Sequence, residues 1–138
     1  MLTKTILLVD DNAVQATIRQ TILKRSGYSV IAALHPTRAL EQLRNTDLLS
    51  ETQMVITDHM MPGMSGSAFV QEVRRLKPDL PVLVISGMAE ASEEYEGLNV
   101  EFRVKPLQPD LLLECIQQMI GIPEPDTLVQ GIAAPVTA

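Results

Sequence analysis

Two short apolar runs, each apolar almost throughout and each stopping on an acid, restrict this chain more than anything else in it. Thr5-Ile6-Leu7-Leu8-Val9 runs into Asp10-Asp11, and Met54-Val55-Ile56-Thr57 runs into Asp58. A strand with one wet face alternates between apolar and polar residues. A run without alternation is a strand covered on both faces, as in a parallel sheet held between two helical layers. After Asp58 and His59 comes Met60-Met61-Pro62-Gly63-Met64-Ser65-Gly66, a loop composition, and then a helical pattern, so the strand delivers one carboxylate to its own end. Turns favour Asp, and Asp58 alone does not separate a turn residue from a functional one.

The remaining segments repeat the alternation of strand and helix. Residues 13–25 read as a helix capped by Asn12 and stopped by Gly27, with Val14, Ile18 and Ile22 toward the core and Gln15, Arg19 and Lys24 toward water. Residues 28–34 read as a second strand, and His35-Pro36-Thr37 turns the chain into a helix carrying Ala39, Leu40 and Leu43 that ends near Asn45. A polar connection over 46–52 leads to the third strand, 53–58. A third helix from about Gly66 places Phe69, Val73 and Leu76 on its core face and Glu72, Arg74, Arg75 and Lys77 on the other. Pro78-Asp79-Leu80-Pro81 ends it and admits a fourth strand, Val82-Leu83-Val84-Ile85-Ser86. A small acidic segment, 89–96, reads as a fourth helix, 101–104 as a fifth strand closing on Lys105-Pro106. The last helix has Pro109 in its first turn and a stripe of Leu112, Ile116, Met119 and Ile120 running to Gly121. Five strands alternating with helices make a parallel α/β sheet, with right-handed crossovers placing helices on both faces. Residues 1–121 form one domain in this reading. Residues 122–138, with Pro123, Pro125 and Pro135, read as a flexible C-terminal tail or linker.

Composition narrows the function classes. With 138 residues, 46% of them hydrophobic and 20% charged, the chain can bury one core without disulfides or structural metal. A net charge of −6, with Lys and Arg scattered, argues against direct nucleic-acid binding. The single Cys115 sits in an apolar helical pattern and reads as a core residue in a reducing compartment. No signal-peptide core and no apolar stretch of membrane length is seen, so the expectation is a cytoplasmic chain without a membrane partner.

Ligands of open parallel sheets bind outside the carboxyl ends of the strands. Asp10 and Asp11 follow the first strand, Asp58 ends the third, Ser86 ends the fourth and Lys105 follows the fifth, so five polar residues distant in sequence arrive at one edge. Each could be a turn or cap residue by itself; the convergence of all five points to a site. Three carboxylates packed together repel unless a cation sits among them, and an all-oxygen donor set suits a hard cation, Mg²⁺ better than Ca²⁺. His59 is expected to point away and is a poor candidate ligand. A cation beside a carboxylate, a lysine and a hydroxyl can hold a phosphoryl group, with Asp58 as nucleophile, Lys105 balancing charge and Ser86 donating a hydrogen bond.

These residues resemble the receiver domains of two-component response regulators. The resemblance rests on Leu8-Val9-Asp10-Asp11-Asn12, on Asp58 with Met61-Pro62-Gly63-Met64-Ser65-Gly66, on Ser86-Gly87, and on Lys105-Pro106 with Phe102 three residues before the lysine. It covers about residues 4–120. It implies a doubly wound, flavodoxin-like sheet of order 2-1-3-4-5 and a phosphorelay switch in which Asp58 accepts a phosphoryl group from a sensor histidine kinase or histidine phosphotransfer protein. It further implies that Asp11, Asp58 and the backbone carbonyl of Met60 ligate Mg²⁺, that Asp10 acts mostly through water, and that Ser86 and Phe102 move with the phosphoryl group. The output partner is not named by the resemblance, and a homodimer is compatible with it.

Two departures stand out. The interval from Ser86 to Lys105 is about a helical turn short, so the fourth helix is expected to be stunted, irregular or mobile, and contacts through it are not assumed. Met60 places an apolar side chain where it can face the phosphoryl group and impede water. Three other readings compete: a receiver fragment of a hybrid kinase or multidomain regulator, a Mg²⁺-dependent aspartyl-phosphate hydrolase, and a flavin-binding module. The hydrolase would need a second acid two residues after Asp58, where Met60 stands, and the flavin module a Ser/Thr/Gly-rich loop where Asp10-Asp11-Asn12 stands.

Overall fold

Successive side chains of a strand leave a sheet on opposite sides, and β1 (Thr5–Val9) uses both: Ile6 and Leu8 enter one core, Leu7 and Val9 the other. The computed structural model describes residues 4–123, so nearly all of the expected tail, from 124 onward, lies outside the described residues. Helix α1 (Ala13–Arg25), strand β2 (Ser29–Ala33), helices α2 (Pro36–Leu43) and α3 (Thr46–Glu51), and strand β3 (Thr52–Asp58) follow in order. Then come α4 (Gly66–Leu76), β4 (Val82–Ser86), a 3₁₀ helix (Ala89–Tyr95), β5 (Glu101–Val104) and α5 (Pro109–Ile120). The five strands pair in parallel in the order β2-β1-β3-β4-β5, the doubly wound arrangement that the sequence resemblance implies.

Each face of the sheet carries its own core. On one, Ala16 and Leu23 of α1 and Leu112, Cys115 and Ile116 of α5 pack with Ile6, Leu8, Met54, Ile56, Leu83 and Ile85. On the other, Ala39, Leu40 and Leu43 of α2 and Phe69, Val70 and Val73 of α4 pack with Leu7, Val9, Val55, Val82 and Val84, and Tyr95 of the 3₁₀ helix closes that layer. Cys115 is buried, as expected of a core thiol. Local chemistry sets the helix starts: Asn12 Oδ1 accepts from Gln15 N at 3.0 Å, Ser65 Oγ accepts from Ala68 N at 3.2 Å, and Pro109 opens α5.

Two expectations are corrected, a third is refined and a fourth is met. Helix α1 does not bury the row Val14, Ile18 and Ile22: Val14 and Ile18 are 71% and 55% exposed, and the buried face is Ala16, Arg19 and Leu23. Polarity is so little segregated on this helix that its rotation is decided by what the sheet offers it, and the sheet edge offers Arg19 two carboxylates. Residues 46–51 are helical rather than a plain polar connection, because Asn45 Oδ1 accepts from Asp47 N and Leu48 N at 3.0 and 3.2 Å and starts a turn with no buried residue to betray it. Arg74, on the outer face of α4, is half-buried rather than free in water: its guanidinium donates to the carbonyls of Leu98, Leu80 and Asn99 at 2.7, 2.7 and 2.9 Å, tying α4 to the loops before β4 and β5. The expected fourth helix is stunted, as the short interval implied, and takes 3₁₀ form.

Candidate functional site

The strand order reverses between β1 and β3, and the two buried carboxylates of the site straddle that point: Asp10 directly after β1 and Asp58 at the end of β3, with Asp11 exposed beside them. One oxygen from each of the three lies within 4.8 Å of the others. No Cys or His belongs to this group, and three oxygens at such spacing fit a hard divalent cation. This donor set fits the Mg²⁺ that the sequence resemblance implies.

Two cations meet the acids. Lys105 Nζ, brought in by the end of β5, is 2.9 Å from Asp58 Oδ1 and also donates to Gln15 Oε1 at 3.3 Å. Arg19 Nη1, from α1, donates to Asp10 Oδ2 at 3.1 Å and to Asp58 Oδ1 at 3.4 Å. Burial pushes the Asp10 carboxyl up to about 7; the hydrogen bond with Asp58 and its charge add to this, while the Asn12 amide and Arg19 oppose it. The acidic edge is thus a place where added positive charge stabilises the ionised form of Asp10.

The neighbour of Asp58 faces the opposite way. His59 is buried, and its Nδ1 shares a 2.7 Å hydrogen bond with the hydroxyl of Tyr95, while Nε2 lies 3.5 Å from Glu94 Oε2. Glu94 Oε1 accepts from Ser67 Oγ at 3.0 Å, so β3, α4 and the 3₁₀ helix are joined in one network. Burial, then the charges of Glu94 and Asp58, raise the Tyr95 hydroxyl above its ordinary range, and it keeps its proton. Gly66 permits this closeness: a Cβ there would meet the Tyr95 hydroxyl, the Asp58 carbonyl at 2.6 Å and His59 Cα at 2.8 Å.

The other expected residues are placed as follows. Ser86 is buried at the end of β4, and its Oγ accepts from Met88 N at 2.9 Å and donates to Met88 O at 3.2 Å, so it is engaged with its own loop. Phe102 is half-buried and packs on Tyr95 at 5.7 Å between ring centroids, away from the carboxylates. The Met60 side chain is 69% exposed. His59 is outside the carboxylate group, as expected. Sequence reading missed Arg19, Tyr95 and Glu94. The only sequence signal for Arg19 was its place at helical spacing between Ala16 and Leu23; for Tyr95 and Glu94 there was none, since their partners are far away in the chain.

The family model for the response regulator receiver domain matches residues 6–117. The transcriptional regulatory protein ZraR of Escherichia coli is 31% identical over 119 residues, covering 84% of this chain and 26% of ZraR. The hydrogenase transcriptional regulatory protein HoxA of Bradyrhizobium diazoefficiens is 32% identical over 122 residues, covering 86% of this chain and 24% of HoxA. The chain therefore spans about a quarter of the length of these regulators. Among solved structures, a CheY-like receiver domain protein of Methanospirillum hungatei is 26% identical with a TM-score of 0.78, covering 86% of this chain and 94% of that one. The chemotaxis protein CheY4 of Vibrio cholerae is 26% identical with a TM-score of 0.75, covering 85% and 98%. With the strand order and the acidic edge already established from the fold, the extent of these matches makes the chain a member of the response regulator receiver domain family of two-component signal transduction.

Proposed function

We propose that the chain is a phosphorelay switch that accepts a phosphoryl group on Asp58 from a histidine kinase or a phosphotransfer protein. The observation that carries the reading is Asp58 itself: a buried carboxylate at the switch point of the sheet, with Lys105 Nζ at 2.9 Å and two further acids within 4.8 Å. In the transfer the P–N bond of the donor phosphohistidine breaks, a P–O bond forms at Asp58, and the imidazole nitrogen keeps the electron pair and takes up a proton. Asp11, Asp58 and the Met60 carbonyl would hold Mg²⁺, with Asp10 acting through water. Mg²⁺ bound there supplies positive charge to the phosphoryl oxygens. Lys105 balances the same charge from the other side. Ser86 turns from Met88 to the phosphoryl group, and Phe102 follows it. The chain catalyses only its own phosphorylation and dephosphorylation. The exposed side chain of Met60 slows the approach of water.

A groove of about 540 Å³ between α1 and the start of α5, lined by Ile18, Ile22, Lys105, Pro106 and Leu107, adjoins the two cations of the site and offers the donor protein a docking surface. Its apolar rim, together with the exposed Val14, suits a partner's helical surface. The matched regulators are about four times as long as the aligned segment, which supports a role in controlling an output domain or partner. Among the described residues no helix is long and apolar enough to cross a membrane.

The test is intact mass and peptide mapping after incubation with Mg²⁺ and acetyl phosphate, beside Asp58→Ala and a chelator control. The expected result is one base-labile phosphoryl group on Asp58 that requires Mg²⁺. No adduct, with no beryllofluoride complex either, would overturn the reading.

A further inference from the structure

Arg19 occupies a position that the helix treats as core. Ala16 and Leu23, on the same face, belong to the core beneath α1, and Arg19 is only 8% exposed between them. A guanidinium in such a place costs desolvation that only close pairing offsets, and an apolar side chain would fill the position without that cost. Its pairing is not with a neighbour on the helix. Nη1 reaches Asp10 Oδ2 at 3.1 Å and Asp58 Oδ1 at 3.4 Å, and so shares the Asp58 oxygen that Lys105 contacts at 2.9 Å.

The count of charges gives this arrangement a consequence. With all three carboxylates ionised, the form that a bound cation favours, the two side-chain cations leave the cluster with one negative charge. A divalent cation added to it makes the cluster singly positive. Phosphorylation of Asp58 replaces a singly charged carboxylate by an acyl phosphate of about two negative charges, and the whole becomes neutral. With an apolar residue at position 19 the neutral state would instead be the one with metal and no phosphoryl group.

We propose that Arg19 is a second resident cation of the phosphoacceptor pocket, one that weakens divalent-cation binding in the resting state and strengthens binding of the phosphoryl group. Arg19 holds Asp10 and Asp58 together before phosphorylation and faces the added negative charge afterwards. The inference rests on the reading of Asp58 as phosphoacceptor, and goes beyond it in giving α1 a part in the chemistry.

Isothermal titration with Mg²⁺ alone, and with beryllofluoride in saturating Mg²⁺, compares the wild type with Arg19→Met and Arg19→Lys. In Arg19→Met, Mg²⁺ is expected to bind on the order of tenfold more tightly and beryllofluoride on the order of tenfold more weakly. Arg19→Lys, which keeps the charge but not the fork, should fall between. A merely structural role would weaken both ligands together. Mg²⁺ affinity unchanged or lowered in Arg19→Met overturns the proposal, and so does tighter Mg²⁺ with unchanged beryllofluoride binding. Should Arg19→Met fail to fold, Arg19→Gln carries the same comparison with a polar stem. A wild type that takes neither acetyl phosphate nor beryllofluoride defeats the phosphoacceptor reading itself, before any variant is compared.

Discussion

Asp58 and His59 are consecutive, yet they serve different halves of the molecule. Asp58 opens onto a charged flank made by α1 and the end of β5, where Arg19 and Lys105 meet three carboxylates. His59 opens onto a flank of hydrogen bonds and aromatic contacts, through Tyr95 to Phe102 and through Glu94 to Ser67. The first flank is arranged to receive charge. The second fastens the shortened 3₁₀ helix to the strand that ends on Asp58. Strand alternation thus lets one strand end address a chemical site and a mechanical joint at once, with a single peptide between them.

The separation can be tested from both sides. The largest effect is expected from Lys105→Ala, which should slow acyl-phosphate formation from acetyl phosphate by about 10²-fold, as loss of one well-placed electrostatic donor does, while leaving the melting temperature near that of the wild type. An effect of less than about threefold would shift the work to Arg19 and the metal. Next is Gly66→Ala, which forces a Cβ against the Asp58 carbonyl and His59 Cα and should cost about 2–3 kcal/mol in denaturant unfolding. That variant strikes both flanks, because Gly66 N also donates to His59 O at 2.7 Å.

A smaller effect, on one flank only, is expected from Tyr95→Phe. It leaves the buried His59 Nδ1 without its partner, a loss of about 1–2 kcal/mol, and should speed amide exchange over residues 89–95. The rate of acyl-phosphate formation should not change. If it fell as in Lys105→Ala, the two flanks would be one machine and the comparison would fail. The smallest effect is expected from Met60→Asn, in which a polar side chain admits water and shortens the life of the phosphorylated form by about fivefold, roughly 1 kcal/mol of barrier. An unchanged dephosphorylation rate would show that Met60 does not guard the site.

The two flanks also differ in how far they could be read from residues alone. Asp10, Asp11, Asp58 and Lys105 were legible because each stands where a strand ends, and parallel strands bring all such ends to one edge. Arg19 was misread as water-facing, since a row of three aliphatics at four-residue spacing on α1, Val14, Ile18 and Ile22, suggested the wrong buried face. The His59–Tyr95–Glu94–Ser67 network had no local pattern at all. Its members are drawn from the end of β3, the 3₁₀ helix and α4, far apart in the chain.

By itself the sequence determined the five strands, the burial of β1 and β3, the helical layers that cover the sheet and the edge at which the carboxylates gather. These follow from periodicity, caps and chain direction, which are local properties. Only the tertiary structure decided how α1 rotates, and with it whether position 19 meets water or acid, because the helix has no polarity pattern strong enough to choose and the carboxylates of β1 and β3 choose for it. It likewise decided that His59, already expected to point away from the acids, is a joint, because a hydrogen bond between residues 59 and 95 exists only once the two cores have formed on either side of the sheet.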